Sequence, residues 1–599
     1  MIIVQQSGDI YNIKSKYDEE FISLVKAVPG RSWNPDAKLW TIHKDKLGFF
    51  INLIRGTRFE EEVRIYSNEK LNENANIETT EEIPDIDLSG IPLYVRDGGK
   101  LYSHQLDFLK FAIARQNKGN MSGFLVADEP GCGKTLESVN LALYNKSKYN
   151  FKHCLIISCV NSAKYNWVED IKKHTNGEYE GYILGSRIRR DGTVGDTGSN
   201  TNRLYDLNSR TAYKKKELPY FIITNIESLR YRQGKNYPIS KQIIEMINNG
   251  EINMIILDEI HKNTSPSSLQ GKQLISIKNK TGSNAMWIPM TGTPITKKPT
   301  DVFLPMKLTD SHSYTNYYTW CQQFCVYGGY GGYEIVAYKN IPMLKKMLQG
   351  NMIRRLKQDV LDLPPKTYIT EYVDLSKEQR KLYDQVLSDV LSREDEIVTS
   401  MNPLVKLLRL RQVCGSPEIV DSSVIGRSYL SINAKLNRLL ELVDDIVAND
   451  EKVVIFSNWV EPLRTLYKYV GKNYKVCYYT GTMKESDREL NKKRFQEDPE
   501  YKVMLGTVGA LGTSHTLTVA RNVIFYDEPS VPTDKEQAED RVHRVGTTGT
   551  VNIYTIIAKD TIDERIHQLC YDRSLMSKFI VDNKLDLRNN PQLFNMLVR

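Results

Sequence analysis

One stretch constrains this chain more than any other: Phe124-Leu125-Val126-Ala127-Asp128-Glu129-Pro130-Gly131-Cys132-Gly133-Lys134-Thr135. It reads as a short buried strand, a glycine turn and the start of a helix. Glycine at 131 and 133 lets the backbone approach an oxyanion with no Cβ in the way. A triphosphate and its Mg²⁺ require inward N–H groups, an ammonium such as that of Lys134 and a hydroxyl such as that of Thr135. The strict phosphate-loop pattern has glycine where Asp128 stands. Taken alone, the stretch also fits a tight strand-to-helix turn with an incidental lysine.

A second stretch decides between the two. Met254-Ile255-Ile256-Leu257-Asp258-Glu259-Ile260-His261 is an apolar strand that delivers two carboxylates at its C-terminal end, where ligands sit in α/β sheets. Asp258 suits Mg²⁺, and Glu259 suits the attacking water. Apolar runs at 155–157, 221–223, 254–257 and 285–288 alternate with helical segments, as a parallel sheet buried on both faces requires. Gln105 precedes the loop by one helix, and its paired donor and acceptor match the edge of adenine.

With 599 residues the chain exceeds a single core, so several domains are expected. The net charge, 81 − 73 = +8, permits a polyanionic partner without demanding one. Basic residues cluster at Arg187/Arg189/Arg190, at 214–216 and at Arg354-Arg355-Leu356-Lys357. No apolar run reaches the length of a membrane span, and the N-terminus lacks the pattern of a secretory signal. The eight cysteines are scattered singly, without zinc-ligand spacing. Together these place the chain inside the cell, soluble, with reduced thiols.

In chain order, residues 1–70 read as a small α+β domain, with helices over 17–28 and 47–54 and a strand over 39–42. Trp33 and Trp40, with Arg31 and Lys38 nearby, either build its core or stack on bases. An acidic linker follows over 71–94, then a first lobe over 95–310 in which 190–216 is an exposed insertion. A helical insertion and inter-lobe region over 311–430 contains the glycine–tyrosine loop 327–333. A second lobe spans 431–570, and a helical tail 571–599. Ser457, Thr480 and Thr507 fall at strand tips, where hydroxyls hold nucleic-acid phosphates. Arg541 and Arg544 lie one helical turn apart. No arginine stands in the phosphate loop, so a cation arriving from the second lobe is the arginine-finger role.

Taken together these motifs resemble the SNF2 family of superfamily 2 helicase-like ATPases, over about residues 95 to 570. The Asp-Glu-x-Gly-x-Gly-Lys-Thr box matches Asp128 to Thr135, which brings Asp128, Glu129 and Cys132 into the implied nucleotide site. The Asp-Glu-x-His box is Asp258 to His261, and the Thr-Gly-Thr-Pro box is Thr291 to Pro294. DNA-contacting segments match 155–167, with Ser158 and Trp167, and 223–230, with Thr224 and Asn225. The run 352–366 is the most family-specific piece, and 408–414 resembles the helix before the second lobe. Gly512 to Thr516 departs from the family's richer glycine run. The resemblance makes Arg544 the finger and Arg541 its neighbour.

It implies two RecA-like parallel-sheet lobes of the P-loop NTPase class with a small N-terminal α+β domain, using ATP and Mg²⁺. The implied activity is double-stranded DNA translocation by a monomer on duplex or forked DNA. Short matches at 28–33 and 38–40, and at 337–340, are similar to the annealing-helicase branch. They favour fork remodelling or strand annealing. A motor that displaces proteins such as a polymerase from DNA is the rival, and an ATP-switched nucleic-acid-binding scaffold is the non-motor alternative.

Overall fold

The computed structural model describes residues 2–66, 85–392, 403–421 and 429–582, apart from 8–9, 16–17, 29–30, 35–38, 44–45, 55–58, 60–62, 97–98, 190–191, 311–313, 315, 329–333 and 513–515. The expectations for the turn at 29–30, Lys38, most of the acidic linker, Arg190, the centre of the glycine–tyrosine loop, 513–515 and the end of the tail lie outside the described residues. Two compact units result. One combines Met1–Asp85, His312–Asn351 and Lys578–Arg599; the other combines Ile86–Ser311 and Met352–Ser577.

The smaller unit carries a five-stranded sheet in the order Ser32–Asn34, Leu39–His43, Ile10–Lys14, Ile2–Ser7, Val63–Tyr66. Helices Glu19–Lys26 and Leu47–Ile54 complete it. Its core is Val4, Ile13, Phe21, Val25, Ile42 and Phe50, with Phe21 edge-on to Phe50 at 6.1 Å and to Phe59 at 5.4 Å. Phenylalanines therefore build this core, while Trp33 is 45% exposed and stands 5.1 Å from Trp40. The same unit includes helices Tyr317–Phe324 and Ile341–Asn351, and a hairpin that pairs Cys325–Gly328 with Glu334–Tyr338.

The larger unit is built on two parallel sheets. In the first, the five strands Met286–Pro289, Ile252–Asp258, His153–Ser158, Phe221–Asn225 and Gly181–Ile183 lie side by side in that order. Parallel bridges from Gly123 to Trp287 and from Val126 to Met290 add Leu125–Val126, and Met352–Ile353 pairs beside it. Near-continuous burial along these strands explains their Ile, Leu and Met runs.

The second sheet runs Lys366–Val373, Val551–Ala558, Asn522–Phe525, Val453–Ser457, Tyr501–Thr507, Lys475–Tyr479, all parallel. Strand pairing thus divides the inter-lobe region expected over 311–430. Met352–Ile353 completes the first sheet, and Lys366–Val373 edges the second. Helix Pro403–Gly415 also packs with the second sheet: its last carbonyls accept hydrogen bonds from Gln379, Asn433 and Tyr526. Nor is 190–216 a bare exposed insertion. Helix Asn200–Ser209 buries Leu207, and Arg203 and Lys164 both pair with the buried Asp196.

Arg355 locks the late strand to the phosphate-loop strand. Its backbone N–H donates to Asp128 Oδ1 at 2.8 Å and its Nε at 3.1 Å. Its Nη2 donates to Asp128 Oδ2 and, at 2.7 Å, to Glu137 Oε1. Its Nη1 donates to the His104 carbonyl. Asp128 and Glu137 are both buried, and burial with the Asp128 charge beside it raises the Glu137 carboxyl well above its usual range. Removing the guanidinium strands these carboxylates in low dielectric. Arg355→Ala is therefore expected to lower unfolding stability by about 3–5 kcal/mol in chemical denaturation. Arg355→Lys, lacking the planar fork, falls between the two.

Beneath the same sheet, the buried Lys278 sits 5.7 Å from the Trp287 ring, with no hydrogen bond to its Nζ. Burial depresses its ammonium to about 8. The folded value lies below that of the unfolded chain, so the folded state binds fewer protons between the two and stability rises as pH climbs from about 8 towards about 10.4. Lys278→Met should raise the melting temperature at pH 7 and abolish that rise.

Among the described residues no helix is long and apolar enough to cross a membrane, and no cluster of His, Cys, Asp or Glu has metal-site geometry. All eight cysteines are buried.

Candidate nucleotide cleft between the two sheets

A cleft of about 460 Å³ opens between the C-terminal end of the first sheet and the segments that flank the N-terminal edge of the second. From the first sheet it is lined by Gly131, Gly133, Lys134, Thr135, Trp167, Asp258 and Glu259; from the second, by Thr516, Gln537, Asp540, Arg541 and Arg544.

The loop has the shape its glycines predict. Gly131 and Gly133 adopt φ of +94° and +100°. A Cβ on Gly133 would stand 2.3 Å from Gln105 Nε2, so no larger residue fits without displacing that side chain. Lys134 begins helix Lys134–Tyr149, and its Nζ donates to the Asp128 carbonyl at 2.7 Å and to that of Glu129 at 3.3 Å. The ammonium is parked on carbonyls of its own loop, a partnership that a phosphate oxygen can replace.

Asp258 ends strand Ile252–Asp258 and Glu259 follows it. Burial, and then the Glu259 charge, push the Asp258 carboxyl up to about 7. Burial also opposes the Glu259 charge, but His261, Lys134 and Arg541 outweigh it and bring that carboxyl down to about 2. Glu259 has φ +53°, ψ +46°, a left-handed conformation costing about 1–2 kcal/mol outside glycine. Hydrogen bonds hold the strained turn, from Ile260 N–H to the Met290 carbonyl and from Lys262 N–H to the Glu259 carbonyl, both 3.0 Å.

Glu259 Oε2 is buried without a hydrogen bond. His261 Nδ1 lies 3.1 Å from it and 3.0 Å from Thr291 Oγ1, the contact with hydrogen-bond geometry. An unsatisfied carboxylate oxygen facing a polar cleft fits an ordered water. The glycine cradle, Thr135 and Asp258 fit a phosphate-bound Mg²⁺.

Arg541 and Arg544 both line the cleft, on the side opposite Lys134. Arg541 Nε donates to the Gln537 carbonyl at 3.1 Å, and Arg544 Nη1 to Thr516 Oγ1 at 3.1 Å. Among the described residues neither forms an ion pair. Burial and the charge of Arg544 depress the Arg541 guanidinium, so both cations favour an anion between them. The two sheets also join directly across the cleft: Lys262 pairs with Asp534 and Lys357 with Asp540, each at 2.6 Å.

Several expected roles change place. Gln105 is buried and braces the loop, its Oε1 accepting from Tyr102 N–H and its Nε2 donating to the Cys132 carbonyl. Asp128 is committed to Arg355. Glu129 accepts from Lys357 N–H at 2.7 Å. Burial pushes the Cys132 thiol up to about 12; its carbonyl accepts from Gln105 and contacts the His104 ring, and its N–H donates to the Glu129 carbonyl. Trp167, expected on nucleic acid, is buried and donates its indole N–H to Asp258 Oδ2 at 2.9 Å.

The other expected nucleic-acid residues do stand at strand tips, but buried. Ser158 bonds the Val160 carbonyl, Thr224 the Ser228 hydroxyl, Asn225 the Glu227 carboxylate, Ser457 the Asp527 carboxylate and Thr480 the Thr482 hydroxyl. Thr507 is buried where its strand meets helix Val508–Leu511. Gln537 and Lys357 were not foreseen. The signal for Gln537 was its place one turn before Arg541; that for Lys357 was its basic run.

The SNF2-related domain model matches residues 104–419, and the helicase conserved C-terminal domain model matches 434–546. Among curated relatives, the DNA annealing helicase and endonuclease ZRANB3 of Bos taurus is 25% identical over 473 residues, 78% of this chain and 39% of that protein. The uncharacterized ATP-dependent helicase MG018 of Mycoplasma genitalium is 26% identical over 491 residues, 81% of this chain and 42% of that protein. A solved structure, the Sulfolobus solfataricus SWI2/SNF2 ATPase core in complex with dsDNA, is 22% identical, covering 85% of this chain and 99% of that chain, with a TM-score of 0.36. The chain spans about two fifths of the length of these curated relatives. With one family model covering more than half of its residues, the chain belongs to the SNF2-related domain family.

Proposed function

We propose that this chain is an ATP-hydrolysing motor that translocates on double-stranded DNA and remodels DNA or protein–DNA complexes. One observation carries the reading: Lys134, Asp258 and Glu259 of one sheet share a single cleft with Arg541 and Arg544 of the other. The loop N–H groups and Lys134 bind the β- and γ-phosphates. Thr135 and Asp258 hold Mg²⁺, which when bound neutralises phosphate charge. Glu259 orients water and accepts its proton; the lowered pKa of its carboxyl keeps it ionised at neutral pH. Arg544, with Arg541 beside it, meets the charge that develops on the γ-phosphoryl.

Because those charges reside on two sheets, nucleotide binding favours closure and phosphate release favours opening. The strand tips that end near Ser158 and Asn225 on one sheet, and near Ser457, Thr480 and Thr507 on the other, locate two grips, whose contacts to DNA would come from the chain around these buried side chains. Closure and opening would step these grips along a DNA backbone. The relative ZRANB3 is described as a DNA annealing helicase, and the N-terminal unit resembles that branch. Fork remodelling or strand annealing is therefore the specific activity favoured over displacement of a bound protein.

Rates of ATP hydrolysis on plain duplex, forked duplex and single-stranded RNA test the reading. Duplex DNA should stimulate hydrolysis and RNA should not; equal rates on fork and plain duplex would remove the fork assignment. Glu259→Gln should cut turnover at least about 100-fold while nucleotide still binds. Arg544→Ala should cut it about 1,000-fold. A Glu259→Gln protein that still remodels DNA would instead support an ATP-switched scaffold.

A further inference from the structure

Residues 159–167 grip Asp258 twice. At one end the Cys159 N–H donates to the Asp258 carbonyl at 3.0 Å. At the other, the Trp167 indole N–H donates to Asp258 Oδ2 at 2.9 Å. Between them the chain leaves the tip of strand His153–Ser158, exposes Asn161 and Ser162, and enters helix Ala163–His174. Trp167 is only 2% exposed. Its bulk cannot swing aside without moving that helix, whose Ala163, Asn166, Trp167 and Asp170 face the cleft.

We propose that Trp167 is a positioning residue: it holds the Asp258 carboxylate and transmits to it any displacement that nucleic acid imposes on residues 159–167. The proposal rests on the nucleotide and DNA roles proposed above and adds the path between them. Residues 159 and 167 both bond Asp258, and between them Lys164 pairs with the buried Asp196, so the segment is held as one piece. A phosphate backbone pressing on Asn161 and Ser162 therefore shifts the backbone and carboxylate of Asp258 together. A neutral N–H suits this role, because it orients the carboxylate without cancelling the charge needed for Mg²⁺.

The test is a thermodynamic cycle on the full chain, read by binding rather than turnover. Affinity for a fluorescent Mg-ADP is measured with and without duplex DNA, in the wild type and in Trp167→Phe. In the wild type, DNA should change the Mg-ADP affinity about 5-fold or more, and Mg-ADP should change DNA affinity by the same factor. Trp167→Phe keeps an aromatic ring but loses the pyrrole half with its N–H, so the coupling should fall below about 2-fold while each ligand still binds alone. An unchanged factor overturns the proposal, as does a wild type that binds both ligands without coupling. A wild type that fails to bind either ligand sinks the underlying reading instead. Should Trp167→Phe melt early, Trp167→His, which keeps a ring N–H, carries the test: retained coupling is expected, and lost coupling in a folded Trp167→His overturns the proposal.

Discussion

The cleft sets cations on both of its walls, and among the described residues neither Lys134 nor the two arginines forms an ion pair there. Lys134 leans on carbonyls, and Arg541 and Arg544 rest on a carbonyl and a hydroxyl. At an effective dielectric of about 20, like charges that face one cleft repel one another. A polyphosphate relieves that repulsion, and it does so most fully when the two sheets close on it. The architecture serves this arrangement: the first sheet aims its C-terminal end at the cleft, and the segment after helix Pro532–Glu539 brings the arginines to it from the second.

A second framework holds the loop in shape from behind. Arg355 ties the late strand Met352–Ile353 to Asp128, and Arg354 Nη1 donates to the Ala127 and Gly292 carbonyls at 2.5 and 2.7 Å. Lys357 continues the same segment to Asp540, the neighbour of Arg541. Six residues thus run from a strand beside the phosphate loop to the helix end that presents the guanidinium groups. In sequence they directly follow 312–351, a segment that belongs to the other compact unit.

Much of the cleft was legible in the sequence because its residues act locally. Glycine at 131 and 133, the carboxylates of Asp258 and Glu259 at a strand end, and Arg541 and Arg544 one turn apart each announce themselves within a few residues. Long-range pairing was not legible. Asp128 looked like a nucleotide residue because nothing nearby says that its partner lies 227 positions away. Trp167 sat in a segment matched to DNA contact, and only the parallel pairing of Ser158 with Asp258 brings its indole to the carboxylate. The strand Lys366–Val373 was missed because it is a half-exposed edge strand without the continuous apolar run of its neighbours. In the N-terminal unit the helix over 47–54 and the strand near 39–42 were readable, but strands Ile2–Ser7 and Ile10–Lys14 were not singled out.

The most direct test of the central claim is a crystal structure of the Glu259→Gln protein with ATP, Mg²⁺ and duplex DNA. The account predicts γ-phosphate oxygens within hydrogen-bond distance of Lys134 Nζ and of a guanidinium from Arg541 or Arg544, in one closed cleft. A nucleotide seated on Lys134 with both guanidinium groups turned away from its phosphates would contradict it.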